Sequence, residues 1–165
     1  METTRPRGEA EIRQLRAEDL PAVLRYFEEL SPESRRTFAP HPFDEEHARE
    51  IVATSDGVNS VRLIAVRDGE ILGYCYFQDR GPDLWPSVGL GIIDRAQNEG
   101  IGSRLMAALV AEARRLGKPG LCLTVHQDNP RALRIYTRNG YRVTGECTEG
   151  TQHTMALDLS AEDSA

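Results

Sequence analysis

Six consecutive residues, Gln97-Asn98-Glu99-Gly100-Ile101-Gly102, put two glycines at the expected junction of a strand and a helix. A helix start carries N–H groups with no intrahelical partner and the positive end of the macrodipole, and glycines admit a phosphate to that backbone with no Cβ in the way. The chemistry this arrangement offers is the grip of a pyrophosphate. Two better-known phosphate loops fail on the same stretch. A Walker A loop needs Gly-Lys-Ser/Thr, which is absent, and a dinucleotide fingerprint begun at Gly89-Leu90-Gly91 needs glycine where Asp94 stands.

A second group lies downstream. Val125-His126-Gln127-Asp128-Asn129-Pro130-Arg131-Ala132 is followed by Ile135-Tyr136-Thr137-Arg138-Asn139-Gly140-Tyr141. Asn129 before Pro130 reads as a helix cap. Tyr136, three residues from Leu133, reads on spacing alone as an aromatic packed on a helix's inner face. Taken together, Gln/Arg-x-x-Gly-x-Gly/Ala and the later run of Asn, Tyr, Gly and aromatic resemble the GNAT superfamily of N-acyltransferases, over residues 10–159.

The resemblance implies a V-shaped cleft in a splayed sheet that grips acetyl-CoA, with Gln97, Asn98, Glu99, Gly100, Ile101 and Gly102 at the pyrophosphate. It implies a bulged strand over Val88–Ile93 whose backbone N–H, with Ile92 the nearest guess, meets the thioester oxygen. Asn129 would contact the CoA arm, and Tyr136 would protonate the leaving thiolate. The implied reaction is direct attack by a primary amine on the acetyl group in a ternary complex, without a metal. A non-catalytic CoA-binding or sensor module, a protein N-terminal acetyltransferase and a longer acyl group stay open as alternatives.

No residue identifies itself as the base that takes the amine's proton. Asp83, Ser87 and His126 are candidates, with His41 and His153 weaker, and each is also an ordinary polar residue of a strand or loop. The acceptor is expected to be a small-molecule amine. Glu28, Glu29, Glu33, Asp44, Glu45 and Glu46 fall in the region that borders the acceptor side in this family, where a cation would be attracted; a solvated acidic surface is the competing reading.

The elements that must position these groups follow from periodicity. Ile12–Leu15 reads as a short strand, and Leu20, Val23, Leu24, Phe27 and Leu30 repeat at helical spacing over Ala17–Leu30, broken by Ser31-Pro32. SRRTFAPHPF reads as irregular, and a second helix runs from Asp44 to Thr54. VRLIAV and ILGYCYF flank Arg67-Asp68-Gly69-Glu70, a tight hairpin. WPSVGLGII is a third strand, with Gly89 and Gly91 marking a bulge or a close backbone approach. A helix from Ile101 to Leu116, stopped by Gly117 and Pro119, leads into the strand LCLTV and a short helix over Pro130–Arg138. Tyr141–Cys147 and His153–Leu159 close the sheet. The order β-α-α-β-β-β-α-β-α-β-β makes this an α+β or mixed α/β fold, a mixed sheet with helices on both faces; the resemblance implies that this central sheet is mostly antiparallel and splayed.

At 165 residues the chain fits one domain, over 9–159, with loose tails at 1–8 and 160–165. A net charge of −6 argues against nucleic acid as a partner. Eight basic residues against three acidic ones between Arg95 and Gly140 fit either a local anion site or a solvated helix face. Lys118 is the only lysine, which removes Schiff-base chemistry. Cys75, Cys122 and Cys147 have no metal or redox spacing and read as buried free thiols of a reducing compartment. With no signal-peptide stretch and no membrane-length apolar run, the expectation is a cytoplasmic protein without a membrane partner; a homodimer stays open.

Overall fold

The apolar spacing of Leu20, Val23, Leu24 and Phe27 is realised in the computed structural model, which describes residues 8–38, 40–146 and 150–160, as helix α1 (Leu20–Glu29). Of the expected tails at 1–8 and 160–165, all but Gly8 and Ser160 lie outside the described residues, as does Cys147. Strand β1 (Glu11–Gln14) precedes α1, and Ala17–Asp19 form a 3-10 turn rather than the helix's first turn.

Ser31-Pro32 does more than end a helix. Ser31 accepts a hydrogen bond from Ser34 N–H at 3.1 Å and Pro32 occupies the first helical position, so a new helix, α2 (Pro32–Thr37), begins inside the stretch read as irregular. Ser31→Ala is therefore expected to cost about 0.5–2 kcal/mol of stability through the lost cap, read as a lower urea midpoint with an unchanged slope. Helix α3 (Glu45–Thr54) starts where expected, with Asp44 Oδ1 accepting from His47 N–H at 2.9 Å.

The hairpin forms as β2 (Ser60–Arg67) and β3 (Glu70–Gln78), with Asp68 at φ 53° and Gly69 at φ 77°, the positive pair that a two-residue turn demands. Next come β4 (Ser87–Ile92), α4 (Ile101–Arg115), β5 (Gly120–His126), α5 (Pro130–Arg138), β6 (Arg142–Glu146) and β7 (Gln152–Asp158). Among the described residues, seven strands make one sheet in the order β1-β2-β3-β4-β5-β7-β6. Every neighbouring pair is antiparallel except β4 and β5, which run parallel and share one rung, Ser87 with Cys122. The splay is at this seam.

The glycines report the two faces. A Cβ on Gly73 would meet Ile92, Leu105 and Ile101, so α4 covers that face; a Cβ on Gly91, whose neighbour Ile92 pairs with Gly73, would meet Phe38 and the Tyr26 hydroxyl, so α1 and the end of α2 cover the other. Gly89 likewise lies under the Tyr76 ring. The bulge expected in β4 is absent: its register with β3 is unbroken from Gly73–Ile92 to Gln78–Ser87. The one irregularity in this part of the sheet falls between β2 and β3, at Ala65 and Val66. Gly89 and Gly91 are required by close approach, since rings occupy the space their side chains would take. Among the described residues, no helix is long and apolar enough to cross a membrane.

Candidate active site

Beyond the Ser87–Cys122 rung the strands part, and a cleft of about 770 Å³ opens between the C-terminal halves of β4 and β5. Val88 to Ile92 form one bank and Thr124 to His126 the other, with the loop before α4, the start of α5 and helix α2 around them. Ile93 N–H bonds Leu72 O on β3 at 3.0 Å. Strand alternation then turns the N–H groups of Ile92 and Leu90 away from β3 and into the gap. Gln97 Nε2 donates to Ile92 O at 3.2 Å from that same side. The Ile92 N–H thus faces the gap with no bulge to turn it there, and so does the Leu90 N–H, which sequence reasoning did not single out.

The phosphate-loop residues divide. Gln97 and Asn98 line the cleft, Gln97 also accepting from Arg131 Nη1 of α5. Asn98 at φ 66° and Gly100 at φ 80° give the loop its left-handed turns into α4. The Glu99 side chain is drawn off to Arg67 at 3.0 Å, and the Ile101 side chain is buried in the core. Glu99, Gly100, Ile101 and Gly102 do not line the cleft, although the first α4 N–H groups beside it have no carbonyl a turn earlier. Gly102 is buried, and a Cβ there would sit 2.7 Å from Ile135 Cδ1 of α5. Its small size therefore sets how closely α5 packs on α4.

Asn129 caps α5, its Oδ1 accepting from Ala132 N–H at 3.3 Å, and also lines the cleft, so the capping reading holds alongside exposure to a ligand. Tyr136 faces the cleft from α5, 5% exposed, with its ring 5.6 Å from that of Tyr141. Burial, followed by the nearby Tyr76 and Cys75, pushes its hydroxyl well above the ordinary tyrosine range, so it stays protonated at working pH.

Of the candidate bases, His126 alone lines the cleft, half-buried at the end of β5. Asp83 is exposed in the β3–β4 loop and Ser87 sits at the shared rung. His41 packs between the rings of Phe27 and Phe43, and His153 lies in β7 with its Nδ1 buried and unpartnered. Neither borders the cleft.

Charges sort in the same way. Arg131 and Arg134 line the cleft near the loop, whereas Arg95 is held by Glu29 and Glu70, Arg104 by Glu9, Arg115 by Glu112 and Lys118 by Asp79. Half of the eight basic residues of that stretch are thus engaged in ion pairs away from the cleft. Among the six acidic residues of the first helices, Glu33 alone lines the cleft. Arg36 of α2 binds Glu33 at 2.5 Å and reaches Asp128 of the β5–α5 loop at 3.1 Å, tying the two sides of the mouth together. That bond with Arg36 holds the Glu33 carboxyl below its usual range. Ser31 and Ser34 both donate to Asp94, anchoring α2 beside β4. Sequence reasoning missed α2 as a wall of the site, since six residues show no period.

Over 86 residues, 48% of this chain and 27% of the relative, the sequence is 35% identical to a mycothiol acetyltransferase of Sanguibacter keddieii. It is 26% identical over 108 residues to an L-methionine sulfoximine/L-methionine sulfone acetyltransferase of Salmonella typhimurium, covering 59% of this chain and 60% of that protein. The chain spans about a quarter of the mycothiol acetyltransferases it matches. In fold it is similar to yncA, a putative acetyltransferase from Salmonella typhimurium solved with acetyl-CoA, at TM-score 0.76 and 21% identity over 92% of this chain and 95% of that one. The seam where β4 and β5 part, the glycine loop at the head of α4 and the cleft-facing Tyr136 thus stand in a chain whose residues 10–142 match the GNAT acetyltransferase domain, and the chain belongs to that family.

Proposed function

We propose that the chain is an acetyl-CoA-dependent N-acetyltransferase, one domain over residues 9–159, that acetylates the primary amine of a small molecule in a reducing, cytoplasmic setting. The observation that carries this reading is the cleft itself. A parallel strand pair that ends after one rung leaves cleft-facing backbone groups on β4 beside the start of α4, a place for a long ligand with an amide-bearing arm and a pyrophosphate. Arg131, Arg134 and the N–H groups of α4 would hold the phosphates, with Gln97, Asn98 and Asn129 lining the arm.

The neutral amine attacks the thioester carbonyl and the oxygen takes up negative charge, which the N–H of Leu90 or Ile92 would stabilise. Collapse breaks the C–S bond. The thiolate takes a proton from Tyr136, and the amide product's extra proton leaves through His126 or water at the mouth. The small-molecule acceptor is supported by the name of the Salmonella relative, whose acceptors are amino-acid derivatives.

The test is thermal melting with acetyl-CoA. A ligand at about 100 times its dissociation constant adds roughly 2.7 kcal/mol, so the transition is expected to move up by several degrees. No shift at millimolar acetyl-CoA, in a folded sample free of bound CoA, would sink the reading. Binding with no thiol release against a broad panel of amines would instead favour a sensor module.

A further inference from the structure

We infer that Phe38 and Tyr76 form the stop at the acyl end of the cleft, which limits the chain to short acyl groups, acetyl above all. The inference rests on the proposed seating of acetyl-CoA in the β4–β5 cleft. A thioester whose oxygen meets the N–H of Leu90 or Ile92 has its sulfur on the side of the α4 loop, where the phosphates lie. The remaining substituent on the carbonyl carbon, the acyl chain, then points the other way, to the face covered by α1 and α2.

On that face β4 presents Ser87 at its start and then Gly89 and Gly91. Two adjacent side-chain positions without a Cβ would make a groove deep enough for an acyl chain, but the groove is already filled. The Tyr76 ring lies over Gly89, with its hydroxyl 2.7 Å from where a Cβ would stand. The Phe38 ring lies over Gly91 beside the Tyr26 hydroxyl, which is 2.8 Å from the corresponding Cβ position and donates to Gly91 O at 2.8 Å.

Both rings also border the cleft. Neither is free to swing aside. Phe38 is 8% exposed and packs against Tyr74 and Phe43, with centroids 6.1 Å away in each case, and Tyr76 packs on Tyr74 at 5.6 Å. Tyr74 is in turn fixed by a hydrogen bond from the buried Arg62 at 3.1 Å. A rigid wall of this kind discriminates by size, and one methylene too many in a closed pocket is worth about 10–200-fold.

Calorimetry with free CoA, acetyl-CoA, propionyl-CoA and butyryl-CoA tests this without an acceptor amine. The expected result for the unaltered protein is butyryl-CoA binding at least about tenfold more weakly than acetyl-CoA, with propionyl-CoA between them. In Phe38→Ala the butyryl-to-acetyl ratio of dissociation constants is expected to fall to within a few-fold. Phe38→Leu, which keeps an apolar contact on Gly91, is expected to give an intermediate ratio and serves if the alanine variant does not fold. Equal affinity for acetyl-CoA and butyryl-CoA in the unaltered protein, or the unaltered ratio persisting in a folded Phe38 variant, overturns the stop. Failure to bind even free CoA, which has no acyl group, overturns the seating of the cosubstrate and the stop with it.

Discussion

Tyr136→Phe is expected to lower kcat by about 10²–10⁴-fold, the usual contribution of a positioned general acid, with acetyl-CoA affinity changed only a few-fold. The substitution removes one hydroxyl and keeps a ring that is buried against Tyr141, so packing is preserved. Burial raises the hydroxyl's pKa, which has two consequences of opposite sense. The neutral, donating form persists past the ordinary tyrosine value of about 10, so activity that falls with a midpoint below that value must be assigned to another group. A buried tyrosinate is also costly, so the proton crosses late, as the C–S bond is already breaking, and is regained through the cleft. If Tyr136 were a packing residue only, the phenylalanine variant would lose at most about 0.5–1.5 kcal/mol of stability and keep its turnover. Measuring kcat at saturation beside the melting temperature separates the two. Unchanged kcat, with acyl transfer limiting, would falsify the acid role and leave the family membership intact.

The second large effect is expected at Gly102. Gly102→Val places a branched side chain where a Cβ alone would stand 2.7 Å from Ile135 Cδ1, and Ile135 precedes Tyr136 on α5. Two losses are expected together. The end of Ile135 must move, or α5 must, at about 1–3 kcal/mol for overpacking. Any shift of α5 carries Asn129, Arg131 and Tyr136 with it, and a misplacement of about 1 Å is enough for a 10²-fold loss of rate. Cofactor affinity is expected to fall at least tenfold in a variant that still folds. Affinity retained by calorimetry would show that the ligand's phosphates do not depend on the head of α4. Pairing Gly102→Val with Ile135→Ala isolates the cause: if the shift of α5 is what weakens binding, shortening Ile135 restores stability and affinity together, whereas stability restored with affinity still low assigns the loss to the head of α4 itself.

Much of this architecture was legible where the deciding interaction is local. The hairpin was set by Asp68-Gly69, the start of α3 by Asp44, and both ends of α5 by Asn129-Pro130 and Asn139-Gly140, each a matter of a few bonded neighbours. The glycine loop and Tyr136 were legible as motifs. What was not legible depends on pairing distant in sequence. Gly89 and Gly91 looked the same whether they marked a bulge or made room for a ring, and the answer lies with Tyr76, Phe38 and Tyr26. The base candidates could not be ranked until the fold brought His126 to the mouth and packed a half-buried His41 between phenylalanines. Helix α2 is not legible because six residues make too few turns to show a period, and Ser31-Pro32 reads equally as a breaker and as a cap.

The lone rung between Ser87 and Cys122 makes the sheet a hinged pair of plates. Along most sheet seams, separation breaks a ladder of bonds; here it breaks one rung and the packing of neighbouring side chains, together with the tie from Arg36 to Asp128. This is the line along which opening costs the least hydrogen bonding, so amide exchange at Leu90 and Ile92 is expected to outpace that of their β3-bonded neighbours Gly91 and Ile93. A ligand laid along the seam takes the place of the missing rungs. In the proposed seating the cosubstrate would act there as a temporary strand, carrying the mechanical continuity of the sheet across the seam while it stays bound.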